Sequence, residues 1–227
     1  MLTNNAAMQQ VYFLSGLGAD ERVFRFLDMP FCKPVYVPWI IPLPHEKLES
    51  YAQRLRQTIP EAHPLLAGVS FGGMLAVEMA KADPQIKAVI ISSAKTRQEL
   101  PRWMHAARYF PVYNCIPDAW LRAMAQRCNW LFGAEKQESI HAFHSIIRDC
   151  FVPFNTWAFG AILRWKNTII PGNLLHIHGT ADKMLPYARV QCNVTIPGGK
   201  HLMVMDCAAS ITPHLQSFLQ LPSNDRH

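Results

Sequence analysis

The sequence predicts an α/β fold, a mainly parallel sheet of about six strands with a helical layer inserted into it. Three observations carry this. Short apolar runs alternate with segments of helical periodicity along most of the 227 residues. The run "PLLAGV" (64–69) is apolar without alternation, as a parallel strand covered on both faces must be. Between 95 and 170 the rhythm stops and several helical segments follow one another.

The elements follow in order. "VYFLS" (11–15) is apolar and runs into "GLGAD", a strand entering a loop; "PVYV" (34–37) is a second strand. In 45–59, Leu48, Tyr51, Ala52, Leu55 and Ile59 recur at helical spacing. Strand 64–69 leads into a helix over 71–83, closed by Pro84, and "IKAVIIS" (86–92) is a fourth strand. Helices are expected around 101–109, 117–132, 135–150 and 155–166, with Ile140, Phe143, Ile147 and Phe151 on one face of the third. Five of the six tryptophans (Trp103, Trp120, Trp130, Trp157, Trp165) fall in this segment, where packing the helices on one another is their simplest use. "NLLHIH" (173–178) and "CNVTI" (192–196) complete the strands. A closing helix over 207–220 contains Pro213, which implies a late start or a kink.

Composition narrows the function. Half the residues are hydrophobic and 17% are charged, enough for one large buried core and unlike a disordered chain. No apolar run is long enough to span a bilayer, and "MLTNNAAMQQ" has neither the basic nor the apolar part of a secretory signal, so a cytoplasmic location is expected. Six cysteines (32, 115, 128, 150, 192, 207) are scattered without a C-x-x-C pair, which points to thiols in a reducing compartment rather than disulfides or zinc. The net charge of +6 is concentrated, since residues 95–166 carry ten Lys/Arg against five Asp/Glu. That density is too low for a nucleic-acid stripe. It fits either a solvated surface or attraction to an anionic substrate or acidic partner.

Gly68, Ser70 and Gly72 form G-x-S-x-G between the third strand and its helix. In that context the motif is a nucleophile elbow, a tight turn that lifts a serine hydroxyl above the sheet. Serine is a weak nucleophile at its free pKa and needs a base, best a histidine held by an acid. Downstream, "LLHIHGTADKMLP" presents Asp182 after the fifth strand, and "VTIPGGKHLMV" presents His201 after the sixth. Both project from C-terminal strand ends, the edge at which open α/β sheets bind ligands.

With "GVSFGG", "HGTADKMLP" and "PGGKHLMV" in this order, the chain resembles the α/β-hydrolases over nearly all of its length outside the inserted segment. The resemblance implies Ser70 as nucleophile, Asp182 as orienting acid and His201 as general base. It implies an oxyanion hole from the backbone N–H groups of Phe71 and Leu17, with "LSGLGAD" as the second loop. Many relatives open that loop with His-Gly; here Ser15 and Gly16 stand there. Only about ten residues precede the first strand, so the family's N-terminal hairpin is expected to be missing, leaving an all-parallel sheet. The core would be 1–94 and 171–227, and 95–170 a helical lid. Gly16, Trp39, Trp103 and Trp157 are candidate substrate contacts. No metal or organic cofactor is required.

Other residues compete for roles. Asp206 is a second candidate acid, although a helix cap explains it. No acid follows the fourth strand, where the sequence reads "SSAKT". His178 reads as a structural hydrogen-bonder. His141 and His144, at i, i+3, have no further ligand at metal spacing. The expected activity is hydrolysis of a small-molecule carboxylic ester or thioester. Alternatives on the same triad are carbon–carbon hydrolysis, lyase or cofactor-free peroxidase chemistry. A carrier-protein acyl esterase would use Arg102, Arg108, Arg122 and Arg127 to meet its acidic partner, and a catalytically silent binding module would keep only the fold.

Overall fold

The computed structural model describes residues 8–109, 120, 123, 126, 127 and 129–220. Its sheet has six strands: β1 (Gln10–Leu14), β2 (Lys33–Tyr36), β3 (Leu65–Val69), β4 (Lys87–Ile91), β5 (Leu174–Gly179) and β6 (Val194–Ile196). They lie in the order β2-β1-β3-β4-β5-β6, and every neighbouring pair is parallel. β3 and β4, at the centre, are buried at every position. The described chain enters the sheet directly at β1, with no hairpin before it.

Period-two alternation along the strands divides the core in two. Tyr12, Leu14, Leu66, Ala88 and Ile90 face α1 (Leu48–Arg56) and α2 (Phe71–Ala82). Val11, Phe13, Ala67, Val89 and Ile177 face the opposite layer, which includes the short 3₁₀ turn Glu21–Phe24. Its α-helices include the one-turn α7 (Met203–Asp206) and α8 (Ala208–Gln220). Helix α2 is buried along Phe71–Ala80, so its sequence is apolar on all sides rather than amphipathic.

Some element ends differ from the sequence expectation for local reasons. Helix α1 starts at Leu48 rather than 45, because His45 takes a left-handed φ of 58°. Strand β6 begins at Val194. Before it, Asn193 stands in for strand pairing: its N–H donates to the His176 carbonyl (2.9 Å), and its side-chain oxygen accepts the His176 N–H (2.8 Å). Helix α8 runs through Pro213 instead of starting after it. The carbonyl deprived of its donor belongs to Ala209, which is exposed and open to water.

The inserted segment contains α3 (Arg102–Ala107), α4 (Asn129–Phe132), α5 (Gln137–Asp149) and α6 (Val152–Arg164). Half of the helix expected over 117–132 lies outside the described residues. Helix α5 joins one core layer through Ala142, Phe143, Ile146 and Ile147, while α6 joins the other through Phe154, Ala158, Ala161 and Leu163. Arg22 ties α5 to the core, donating to Asp149 (2.8 Å) and Ser145 (2.8 Å). Tryptophan packing is less uniform than expected. Trp165 is buried and donates to the Glu78 carboxylate (2.7 Å), and Trp157 is half-buried, but Trp103, Trp120 and Trp130 are exposed. Trp130 lies beneath the Lys183 ammonium at 5.1 Å and Trp103 stacks on Phe159, so both sit at contacts an indole can make from the surface. Of the four arginines proposed for an acidic partner, Arg102 and Arg127 are exposed, Arg108 lies over the Tyr109 ring, and Arg122 is outside the described residues. Neither Cys32, Cys150, Cys192 nor Cys207 is in a disulfide; Cys115 and Cys128 lie outside the described residues. No described helix is long and apolar enough to cross a membrane.

Candidate active site

Ser70 sits between β3 and α2 with φ 52° and ψ −116°, a strained conformation for a residue with a side chain. The turn is held from three sides. Ser70 N–H donates to the Ile91 carbonyl (2.9 Å), the Ser93 hydroxyl donates to the Ser70 carbonyl (2.7 Å), and Gly73 N–H donates to the same carbonyl (3.0 Å). The glycines permit the close approach. A Cβ on Gly68 would meet the Gly72 backbone at 2.5 Å, and one on Gly72 would lie 2.2 Å from the Leu14 carbonyl oxygen. Because the obstacle at Gly72 is backbone at the end of β1, no rotamer change can relieve it. Gly72→Ala is therefore expected to cost about 3 kcal/mol or more and to lower Tm by roughly 6–12 °C for a chain of this size. A melting curve within about 2 °C of wild type would show that the elbow has slack.

A second glycine contact brings the other two residues together. Gly179, at the end of β5, packs so closely on Gly199 that a Cβ there would lie 2.1 Å from the Gly199 carbonyl oxygen. Ala181 N–H donates to that oxygen (2.9 Å), and Gly198 turns the chain with φ 70°. The loops bearing Asp182 and His201 are thus fastened to each other. His201 Nδ1 lies 2.8 Å from Asp182 Oδ2, and His201 Nε2 lies 3.0 Å from Ser70 Oγ. A carboxylate only accepts, so Nδ1 carries the proton and donates to Asp182, leaving Nε2 to accept from the serine hydroxyl. Asp182 and His201 are both buried. Burial pushes the Asp182 carboxyl up, but the charge and hydrogen bond of His201, the Leu185 N–H and His178 outweigh it and hold it below its usual range.

The loop after β1 passes beside Ser70. A Cβ on Gly16 would be 3.6 Å from Ser70 Cβ, and Gly18 takes φ 72° in a turn closed by Ala19 N–H donating to the Gly16 carbonyl (3.0 Å). Leu17 lies within this turn, and Phe71 opens α2, whose first N–H groups have no partner inside the helix. The Ala19 carbonyl accepts from the Ser15 hydroxyl (2.9 Å) and the Trp39 indole (3.3 Å). Ser15 is thus a brace for the loop, a role its place in the sequence did not disclose.

A cavity of about 270 Å³ opens beside this loop, lined by Ala19, Trp39, Ile41 and Phe154 and also by Asp20 and Asp149. Trp39 lines it and is tilted against Phe71, the residue after Ser70, with ring centroids 5.8 Å apart. Trp157 is not in its lining; it packs against Tyr51 at 4.5 Å, and its indole donates to the Glu46 carbonyl (3.1 Å). Trp103 is on the surface, away from the cavity.

Asp206, the competing acid, accepts the N–H groups of Glu135 (2.9 Å) and Lys136 (3.3 Å), which precede α5. It caps the inserted helix rather than its own. No cluster of three His, Cys, Asp or Glu side chains among the described residues could hold a metal ion.

The model of the family described as "Alpha/beta hydrolase family" matches residues 11–211. The chain belongs to that family. No match is found among curated proteins. Solved structures resemble this alpha/beta hydrolase at low identity. An esterase from Thermogutta terrifontis is 15% identical with TM-score 0.68, over 93% of this chain and 89% of that one. The Bacillus megaterium epoxide hydrolase is 12% identical with TM-score 0.69, over 94% of each chain. The enol-lactonase of Burkholderia xenovorans LB400 is 15% identical with TM-score 0.65, over 96% and 94%. At these identities the likeness establishes the fold alone.

Behind Asp182 this alpha/beta hydrolase buries two more histidines, His176 and His178, both fully inaccessible. Burial is the main force holding each below its ordinary value, joined at His176 by the Lys95 charge. The sign for stability follows. As pH falls below about 6.5, the unfolded chain protonates these imidazoles and the folded chain does not, so the unfolded state is favoured. Stability is full above that value and is lost toward the depressed folded pKa. Tm is expected to fall between pH 7 and 5, with a smaller fall in His176→Gln. Equal pH slopes in melting curves of the two proteins would contradict this.

Proposed function

We propose that this alpha/beta hydrolase is a serine hydrolase that cleaves a carboxylic ester or thioester through an acyl-enzyme on Ser70. The observation that carries the reading is the line from Ser70 Oγ through His201 to Asp182, at 3.0 and 2.8 Å, drawn from three loops at one sheet edge. His201 Nε2 takes the Ser70 proton as Oγ bonds to the substrate carbonyl carbon. The oxygen of the tetrahedral intermediate is held by the N–H groups of Leu17 and Phe71. His201 then gives its proton to the departing alcohol or thiol. Water, deprotonated by His201, attacks the acyl-enzyme and releases the acid and free Ser70. Asp182 keeps the His201 proton on Nδ1 throughout. The aromatic and aliphatic side chains of the cavity beside Trp39 suit an uncharged acyl or alkyl group, Asp20 and Asp149 in its lining disfavour an anionic one, and the described helices between β4 and β5 act as the lid.

A fluorophosphonate reacts with an activated serine whatever the natural substrate. Intact-mass analysis is expected to show one adduct, absent from Ser70→Ala, and p-nitrophenyl or coenzyme A acyl esters are expected to be turned over. An adduct that persists in Ser70→Ala would dismiss Ser70. A labelled Ser70 with no turnover of any ester would dismiss ester hydrolysis.

A further inference from the structure

Five buried polar side chains extend the line beyond His201, and simple donor counting gives them a direction. Lys95, just after β4, has three ammonium N–H groups and three acceptors: the Gln191 carbonyl, Glu99 Oε1 (2.8 Å) and His176 Nδ1 (3.2 Å). An ammonium only donates, so His176 Nδ1 accepts and the proton of the neutral ring sits on Nε2. His176 Nε2 lies 3.2 Å from His178 Nδ1 and donates to it. The proton of His178 is therefore on Nε2, which donates to the Leu185 carbonyl (2.8 Å) and faces Asp182 Oδ2 at 3.5 Å. The hydrogen bonds run one way from Lys95 through both imidazoles to the Leu185 carbonyl, and the Leu185 N–H in turn donates to Asp182 Oδ1 (2.9 Å).

We infer that Lys95, His176 and His178 form a one-way hydrogen-bonded relay that fixes Leu185 and through it orients Asp182, with His178 a positioning residue for the reaction proposed above. Asp182 Oδ1 is occupied by the N–H groups of Met184 and Leu185, both at 2.9 Å. His201 Nδ1 donates to the other oxygen, Oδ2, and His178 Nε2 stands 3.5 Å from that oxygen as an electrostatic neighbour, its N–H being given to the Leu185 carbonyl. The pairing at the far end supports the inference. Lys95 and Glu99 are both buried, and Glu99 also accepts the N–H groups of Lys95 (2.6 Å) and Gln191 (3.2 Å). For packing alone, apolar residues of similar volume would serve at least as well as a buried ion pair. What only the cation supplies is a donor at His176 Nδ1, which sets both tautomers. The charged and titratable groups around the two rings are Lys95, Glu99, Asp182 and His201; the Ser93 carbonyl is a second acceptor for His176, and the Leu185 carbonyl is the acceptor of His178. Lys95 and Glu99 lie at the root of the inserted segment, so the relay also joins that segment to the catalytic acid.

The test compares glutamine, whose amide both accepts and donates, with leucine, which does neither. His178→Leu is expected to lower kcat about tenfold, in line with leaving the buried Leu185 carbonyl unpaired, with KM within about twofold. His178→Gln should recover most of kcat. In the leucine variant the imidazole N–H dipole 3.5 Å from Asp182 Oδ2 is gone and the carboxylate attracts the His201 proton more strongly, so the acid limb of the kcat/KM profile should move to higher pH. The Ser70 labelling rate with a fluorophosphonate, followed against pH, reads the same two effects without any ester. Labelling that follows this pattern in a protein that turns over no ester upholds the relay and sinks the proposed reaction. Leucine and glutamine variants that behave alike, or an acid limb that stays in place, overturn the relay. Should His178→Leu fail to fold, the His176→Leu and His176→Gln pair decides by the same two criteria.

Discussion

Alanine at Ser70 or at His201 is expected to lower kcat by about 10⁴-fold or more, and the double variant to lose little beyond either single one. The reason is geometric. Ser70 Oγ has a base only because His201 Nε2 is 3.0 Å away, and His201 has work only if Oγ is there to be deprotonated. Groups that act as one unit do not add. The expected residue of activity comes from the Leu17 and Phe71 N–H groups and from binding, which neither substitution removes. Single-turnover kinetics on an activated ester checks this. Losses that multiply in the double variant would show two independent contributions and break the triad into parts.

Asp182→Asn should cost nearly as much, on the order of 10⁴-fold in kcat, while Asp206→Asn stays within a few-fold of wild type. The Met184 and Leu185 N–H groups select which atom of an asparagine faces them: the side-chain oxygen takes the place of Oδ1. The amide nitrogen then points at His201 Nδ1, where it can only donate. His201 is forced into the tautomer with its proton on Nε2, facing Ser70, and can no longer accept from the hydroxyl. Since both backbone hydrogen bonds survive, the fold should too, and melting should show only a small shift. Asp206 meets Glu135 and Lys136, not the triad. A larger loss of kcat in Asp206→Asn than in Asp182→Asn would reverse the choice of acid.

Local patterns in the sequence were enough for what depends on one element at a time. Unbroken apolar runs mark β3 and β4, because a central parallel strand is buried on both faces. The glycines at 68 and 72 mark a place where two backbones touch around Ser70, whereas the contact of Gly179 with Gly199, which brings Asp182 and His201 together, is seen only in the structure. Three motifs in order sufficed to name the residues that meet there, although Ser70 and His201 are 131 positions apart.

What the tertiary structure alone decided concerns partners, since a side chain's letter does not say whether it will face water or protein. Lys95 counts as one more charge in a basic segment, yet it is buried and donates to His176, 81 positions away. Trp103, Trp120 and Trp130 have the same letter as Trp165, and only packing shows which indoles are covered. Asp206 lies in α7 and caps α5 some 70 positions earlier, a role invisible from its own neighbours. Pro213 reads as a break, but Ala209, whose carbonyl it leaves without a helical donor, is an exposed residue, so the helix can run through. Periodicity and turn chemistry report the burial of one segment against an average interior. The identity of the group across the interface depends on how whole elements dock, and that information is spread over the entire chain.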